Sequence, residues 1–404
     1  MSEGETEVPE THVLAIASHV TSGYVGNTMA TFCMQTLACE VSAIHTVNYS
    51  NHVGYRKFTG RKSTPEEVAE LWAGLKNAHL DDFDMMLSGY CPSAALVEQV
   101  GKIAREIKTR ALTRPGSFFW VLDPVMGDNG RIYVAEETVP VYKSLLKDAD
   151  LILPNQFEAE LLSDVKIRDL ATMKQAISKL HQVHRLPHVL ITSIRLPPTA
   201  SNTPTAAEQD FSTSAKLSII GSTATGDFKP RLFRVTVPAL PVFFSGTGDM
   251  FASLMVSRFR QAAKDAGVLN QQSWRSPDEV SGPELPLAKA AEKVLASMHA
   301  VLKDTEEHYY AAVKKLHGEK DSELNEGTGA EASEEKDAER HLRLTRAAEV
   351  RVVRNVQALV DPPDLEDFKA QEIAVGILTP DHAEEPDELG VVKVADGKGA
   401  THQT

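Results

Sequence analysis

From residue 12 to about residue 260 the chain alternates short, almost unbroken apolar runs with segments whose apolar positions recur every three or four residues. The runs fall at 12–18, 40–47, 84–89, 117–125, 150–155 and 188–193. A strand with one face in water alternates apolar and polar positions. A strand apolar at nearly every position is covered on both faces, as in a parallel sheet. The intervening segments read as helices. Thr64-Pro65-Glu66-Glu67 opens one with a capping box and a proline at the first helical position. Residues 93–112 carry Leu96, Val97, Val100, Ile103, Ala104 and Ile107 on one stripe. Repeated strand–helix–strand units predict an α/β fold with a doubly wound, mostly parallel central sheet flanked by helices. Strands at 216–221 and 231–237 read as a hairpin-like addition, and helices are expected at 286–316 and 338–358.

Three stretches break the pattern. Residues 196–215, rich in Pro, Ser, Thr and Ala, read as a loop insertion. Residues 318–337, rich in Glu, Gly and Ser, read as a disordered acidic insertion, and residues 361–404 as an acidic, largely disordered tail. With a flexible N-terminus at 1–11, this leaves a single α/β domain over 12–360. Charge follows the same division. The net charge is −14, yet residues 319–339 carry −7 and residues 361–404 carry −8, so the rest of the chain is close to neutral. The acidity therefore marks no cationic partner, and no basic block points to nucleic acid. No apolar run approaches the ~18 residues of a membrane span. The polar N-terminus, MSEGETEVPE, does not read as a targeting signal. The three cysteines, Cys33, Cys39 and Cys91, form no CxxC pair, which suits a reducing compartment. The expected location is the cytoplasm, with the nucleus as an additional one.

Candidate chemistry sits where strands hand over to helices. FFSGTGDMF (243–251) places a Gly-Thr-Gly turn and Asp249 before a helical pattern. It fails the dinucleotide fingerprint because Phe251 occupies the third glycine position, and no Walker-type loop occurs anywhere. Two readings remain: a turn capped by Asp249, or an anion hole made by helix N-terminal N–H groups with a base beside it. WVLDPVMGD (120–128) ends a buried strand in Asp123 and continues into a turn bearing Asp128, at the strand end where open α/β sheets bind ligands. In LILPNQFEAELL (151–162), Asn155 and Glu158 stand three apart. They read either as a second capping box or as groups suited to water-mediated magnesium. An anion hole, a base and a magnesium edge together are the parts that phosphoryl transfer requires.

SHVTSGYVGNTMATF (18–32), TVNYSNHVGY (46–55), SGY (88–90), DPVMGD (123–128), PNQFEAELL (154–162), ITS (191–193) and GTGD (246–249) occur in this order. The set resembles the pyridoxal kinase branch of the ribokinase superfamily over most of residues 12–260. The resemblance implies a ribokinase-like fold and ATP-dependent phosphorylation of the 5′-hydroxymethyl group of pyridoxal, pyridoxine and pyridoxamine. It implies Asp249 as base and Gly246, Thr247 and Gly248 as the phosphoryl cradle. Asp123, Asn155 and Glu158, with Asp128 nearby, would lie around magnesium and the ATP phosphates. Thr192, Ser193 and Thr247 would face the nucleotide, and Ser18, His52, Val53 and Tyr90 the vitamer. A monovalent cation such as potassium and a homodimer are also implied. Val53 stands where the family pattern SNHTGY has threonine, which removes a hydroxyl near the substrate, and Leu153 stands where many relatives carry threonine. His19 and His45 show no metal-ligand spacing and read as packing residues. Two rivals stay open: a hydroxymethylpyrimidine kinase, which shares GTGD, and a non-catalytic vitamin-binding protein.

Overall fold

A computed structural model describes residues 8–128, 130–194, 216–323 and 330–373, with side chains left aside over 317–323 and 330–335. The strands are β1 (His12–Val20), β2 (Glu40–Tyr49), β3 (Gly60–Lys62), β4 (Met85–Ser88), β5 (Phe119–Leu122), β6 (Gly127–Asp128), β7 (Arg131–Ile132), β8 (Leu151–Ile152), β9 (His188–Ile194), β10 (Lys216–Ala224), β11 (Pro230–Pro238) and β12 (Gln371–Glu372). Ten of them form one sheet in the order β12-β11-β10-β9-β8-β5-β4-β1-β2-β3, while β6 and β7 form a separate hairpin. The six central strands, from β9 to β2, run parallel, and the additions at both edges are antiparallel.

The unbroken apolar runs are explained by the two cores. Along β1, Val13 and Ala15 enter the core on one face, while Leu14 and Ile16 enter the core on the other. β5 divides in the same way, with Phe119 and Val121 on the first side and Trp120 and Leu122 on the second. Burying each such side chain contributes about 1.5–3 kcal/mol. The first face is covered by α1 (Gly26–Thr36), by α7 (Thr247–Asp265) and by α8 (Pro286–Glu323). The second is covered by α2 (Pro65–Asn77), α3 (Ala94–Ala111), α4 (Thr138–Leu145), α5 (Gln156–Ser163) and α6 (Leu170–His184). All six residues of the stripe read from 93–112 are buried in α3. The capping box at Thr64 and Glu67 forms as expected.

The sequence reading requires correction at the C-terminal side. α8 continues to Glu323 and α9 (Ala330–Ala347) begins before Glu331, so both flanks of the expected insertion at 318–337 are helical. The helix expected over 338–358 is interrupted after Ala347, and the chain resumes as a tight turn over Val352–Asn355 and a short helix over Val356–Val360. Val350 and Val352, both buried, anchor the break, and β-branched residues in succession disfavour helix. Residues 361–373 are not tail: Phe368 is buried, Ala370 N–H donates to the buried Glu292 carboxylate at 2.9 Å, and β12 extends the sheet beside β11. At the other end, Thr11 is fully buried and its carbonyl accepts from Glu40 N–H, so the ordered chain starts before residue 12. The expected loop at 196–215 and the tail from 374 onward lie outside the described residues.

The chain passes from β1 to β2 on one side and then returns to β4 on the other. β1 and β4 are thus neighbours at a reversal of strand order, where the crevice beyond their carboxyl ends is the favoured ligand position. Ser18 is near the end of β1, and Tyr90 follows β4 by two residues.

Candidate active site

The N-terminus of α7 is built around Gly246. This residue has φ +85°, and a Cβ on it would lie 2.2 Å from the carbonyl oxygen of Tyr24. Only glycine accepts both the left-handed backbone and that approach. Gly246 is the N-cap and supplies no side-chain cap, so the first N–H groups of α7 are left for a ligand. Asp249, three residues on, could fold its carboxylate back onto its own helix. It accepts instead from the backbone N–H of Gly26, the first residue of α1. Burial raises its pKa to about 6, and the Gly26 N–H partly opposes the rise. Gly26 has φ +51°, and a Cβ there would sit 2.2 Å from both the carbonyl and hydroxyl oxygens of Ser18. Close contact between the β1–α1 turn and the α7 turn thus sets the position of the carboxylate.

The second junction behaves differently. The side chain of Asn155, the N-cap of α5, accepts from Glu158 N–H at 2.9 Å, while Asn155 N–H donates to Glu158 Oε2 at 3.0 Å. The capping box is complete. The same Glu158 carboxylate reaches further, with Oε1 accepting from Met126 N–H at 2.8 Å, and Asn155 Nδ2 donates to Gly127 O at 2.8 Å. The junction therefore grips the hairpin that carries Asp128. Burial raises Glu158 to about 7 despite these donors. Burial also pushes Asp123 well above the usual carboxylate range, helped by the charges of Glu158 and Asp249. Such carboxylates, costly as bare charges, are a donor set suited to a hard divalent cation. Among the described residues, the group of three or more metal-ligand types whose donor atoms all lie within 4.8 Å of one another is Glu10, His12 and Glu40, at the far end of β1. Asp123, Asp128 and Glu158 form no such group, so any cation they could hold would be reached partly through water.

A cavity of about 840 Å³ runs across these junctions, within the size range of small-molecule sites. Ser18, Tyr90, Asp123, Asp128, Asn155, Glu158, Thr192, Ser193 and the 246–249 turn all line it. Ser18 and Tyr90 line it on the β1 and β4 side, which is polar, and the apolar Leu217 and Val237 line it on the β10 and β11 side. Thr192 sits beside Asn155 through a parallel bridge, and Ser193 adopts φ +57° where β9 loses register with β10. His52 and Val53 are not brought to the cavity wall. Val53 is 62% exposed, and buried His52 turns its imidazole to Glu349. Sequence reasoning missed Gly26 and Glu349. Gly26 had a visible signal, a glycine opening a helix after the first strand; Glu349 lies in AAEVRVV, which carries no chemical motif.

Residues 94–224 match the family model described as phosphomethylpyrimidine kinase. Pyridoxal kinase of Ovis aries is 33% identical over 305 residues, covering 73% of this chain and 86% of that protein. The chain belongs to the pyridoxal kinase family. The Homo sapiens member is 36% identical over 258 residues, or 61% of this chain and 77% of that one. The fold agrees as well. The solved structure of Leishmania donovani pyridoxal kinase in complex with ADP and pyridoxamine matches with a TM-score of 0.64 and 28% identity, covering 89% of this chain and 98% of that one. The same enzyme in complex with ADP and pyridoxine matches equally well. The family's fold is thus the doubly wound sheet expected from the apolar runs. The match to the family model is shorter and covers about a third of the chain.

Proposed function

We propose that this chain transfers the γ-phosphoryl group of ATP to the 5′-hydroxymethyl oxygen of pyridoxal, pyridoxine and pyridoxamine, giving the 5′-phosphate and ADP. The observation that carries the reading is Asp249: a carboxylate beside a bare helix N-terminus that does not cap its own helix and lines the cavity. The vitamer occupies the polar side, with Ser18 hydrogen-bonded to its pyridine ring and Tyr90 beside it. The nucleotide lies along Thr192 and Ser193 toward the apolar side. Asp249 takes the hydroxymethyl proton as that oxygen forms its bond to phosphorus and the bond to the ADP oxygen breaks. The N–H groups of Gly246, Thr247 and Gly248 receive the charge on the transferring group. Asp123 and Glu158, with Asp128 on the adjoining hairpin, would hold magnesium, which when bound neutralises phosphate charge.

A potassium-type monovalent activator and a homodimer belong to the same proposal; rates in potassium against sodium and mass in solution check them. The free, buried Cys33, Cys39 and Cys91 suit a reducing location, and we place the protein in the cytoplasm, with the nucleus as an additional site. The match over 94–224 favours a second reading, a hydroxymethylpyrimidine kinase. An ATP-dependent transfer assay with pyridoxal and with the hydroxymethylpyrimidine separates them. Turnover of pyridoxal is expected, and turnover of the pyrimidine alone would overturn the proposal.

A further inference from the structure

Glu349 lies in the break after α9, and its carboxylate is shared by two segments remote from it in the chain. Oε1 accepts from the Tyr55 hydroxyl at 2.9 Å and pairs with His52 Nε2 at 3.0 Å, while Oε2 accepts from Tyr24 N–H at 3.3 Å. Gly54 N–H donates to His52 Nδ1 at 3.2 Å, so Nε2 carries the proton in the neutral ring and donates to Glu349. A second tie comes from α9 itself, where His341 Nε2 donates to Gly54 O at 2.9 Å. The helical turn Val53–Tyr55 is therefore held from both ends.

The other segment is the turn that follows β1, and it feeds the site twice. Tyr24 presents its carbonyl to Gly246, and Gly26 gives its N–H to Asp249. The turn is moulded around the carboxylate: Gly23 has φ +106°, and a Cβ there would lie 2.8 Å from Glu349 Oε1. Burial alone would raise the Glu349 pKa, but the bonds from His52 and Tyr55 outweigh it and hold the group below its ordinary value. The carboxylate is thus ionised, and its hydrogen bonds are of the stronger, charge-assisted kind.

We propose that Glu349 is a positioning residue that locks the 52–55 turn to the β1–α1 turn, and through them sets the vitamer end of the cavity and the backbone that holds Asp249. His52 then serves the site through Glu349 rather than by touching the vitamer. The effect on catalysis rests on the reading of Asp249 as base; the lock itself does not. The test uses Glu349→Gln and Tyr55→Phe in the full-length chain. Arg56 and Lys57 are exposed immediately after the turn, so trypsin cleavage there reports its release. Cleavage in Glu349→Gln should be roughly tenfold faster than in wild type, as loss of a charge-assisted bond implies, with a smaller rise in Tyr55→Phe. KM for pyridoxal should rise by about the same factor while KM for ATP stays within about twofold. Wild-type cleavage together with a wild-type KM for pyridoxal would overturn the proposal. So would a lower melting temperature with equal losses toward both substrates, the behaviour of a mere brace. Full activity in Asp249→Asn beside fast cleavage in Glu349→Gln would remove the base and keep the lock.

Discussion

The two helix starts that frame the cavity, at α5 and α7, look alike in sequence: each follows a strand and places a carboxylate at the third helical position. They are resolved in opposite ways. At α5, Asn155 and Glu158 satisfy each other's backbone, and the capping reading is correct in full. At α7 the N-cap is a left-handed glycine without a side chain, and Asp249 leaves its own helix to accept from Gly26. A carboxylate that closes a capping box spends one oxygen on its own backbone, and Glu158 reaches outward only with the other. Asp249 has no such tie to its own N-cap among the described residues, which leaves it available as a proton acceptor. The comparison separates a carboxylate tied into its own helix cap from one that is not, and the proposed base is the second.

The sharpest way to break that comparison is Asp249→Asn. A capping aspartate would tolerate the change, since Asn caps about as well. A base would not, and turnover should fall by about 10²–10⁴-fold with ATP affinity kept. The melting temperature should hold or rise, because burial already disfavours the charged form. The same assignment fixes the pH profile. Asp249 must be unprotonated to act, so kcat should fall as pH drops through about 6 and keep its plateau above. A rate independent of pH across that window would return Asp249 to a structural role.

Glu158→Gln probes the other junction. Half of the capping box can survive through the amide oxygen, whereas the negative charge cannot. The magnesium concentration for half-maximal rate should rise roughly 10–100-fold, with a smaller loss at saturating magnesium. Stability provides a third and smaller effect. Glu158 has its folded pKa raised to about 7 from 4.5, so it penalises the metal-free folded state increasingly as pH rises through that interval. In chelator, melting temperature should decline from about pH 5 to 7 more steeply in wild type than in Glu158→Gln. Equal slopes would mean that the carboxylate is already compensated. The smallest effect is expected from Val53→Thr. The family pattern suggests a restored substrate contact, but Val53 is exposed and outside the cavity wall. The KM for pyridoxal should change by less than about twofold, as for other surface substitutions.

Much of this protein was legible along the chain because the relevant physics is local. A strand covered on both faces must be apolar at consecutive positions, and β1 and β5 obey that rule residue by residue. A helix start needs a cap or a ligand, so Asn155, Glu158 and the 246–249 turn could be picked out from their neighbours alone, and Asp123 from its place at the end of a buried strand. Three things were decided only by the tertiary structure. Which carboxylate caps and which is free depends on Gly26, supplied by a different helix more than two hundred residues before Asp249 in the chain. The orientation of His52 toward Glu349, outside the cavity lining, depends on a residue 297 positions away. The packing of 361–373, acidic in composition, depends on the partners that Glu292 and β11 offer it. Periodicity and capping act within a few residues and leave a trace in the sequence. A hydrogen bond between segments brought together by folding needs only one donor and one acceptor, and neither residue type announces its partner.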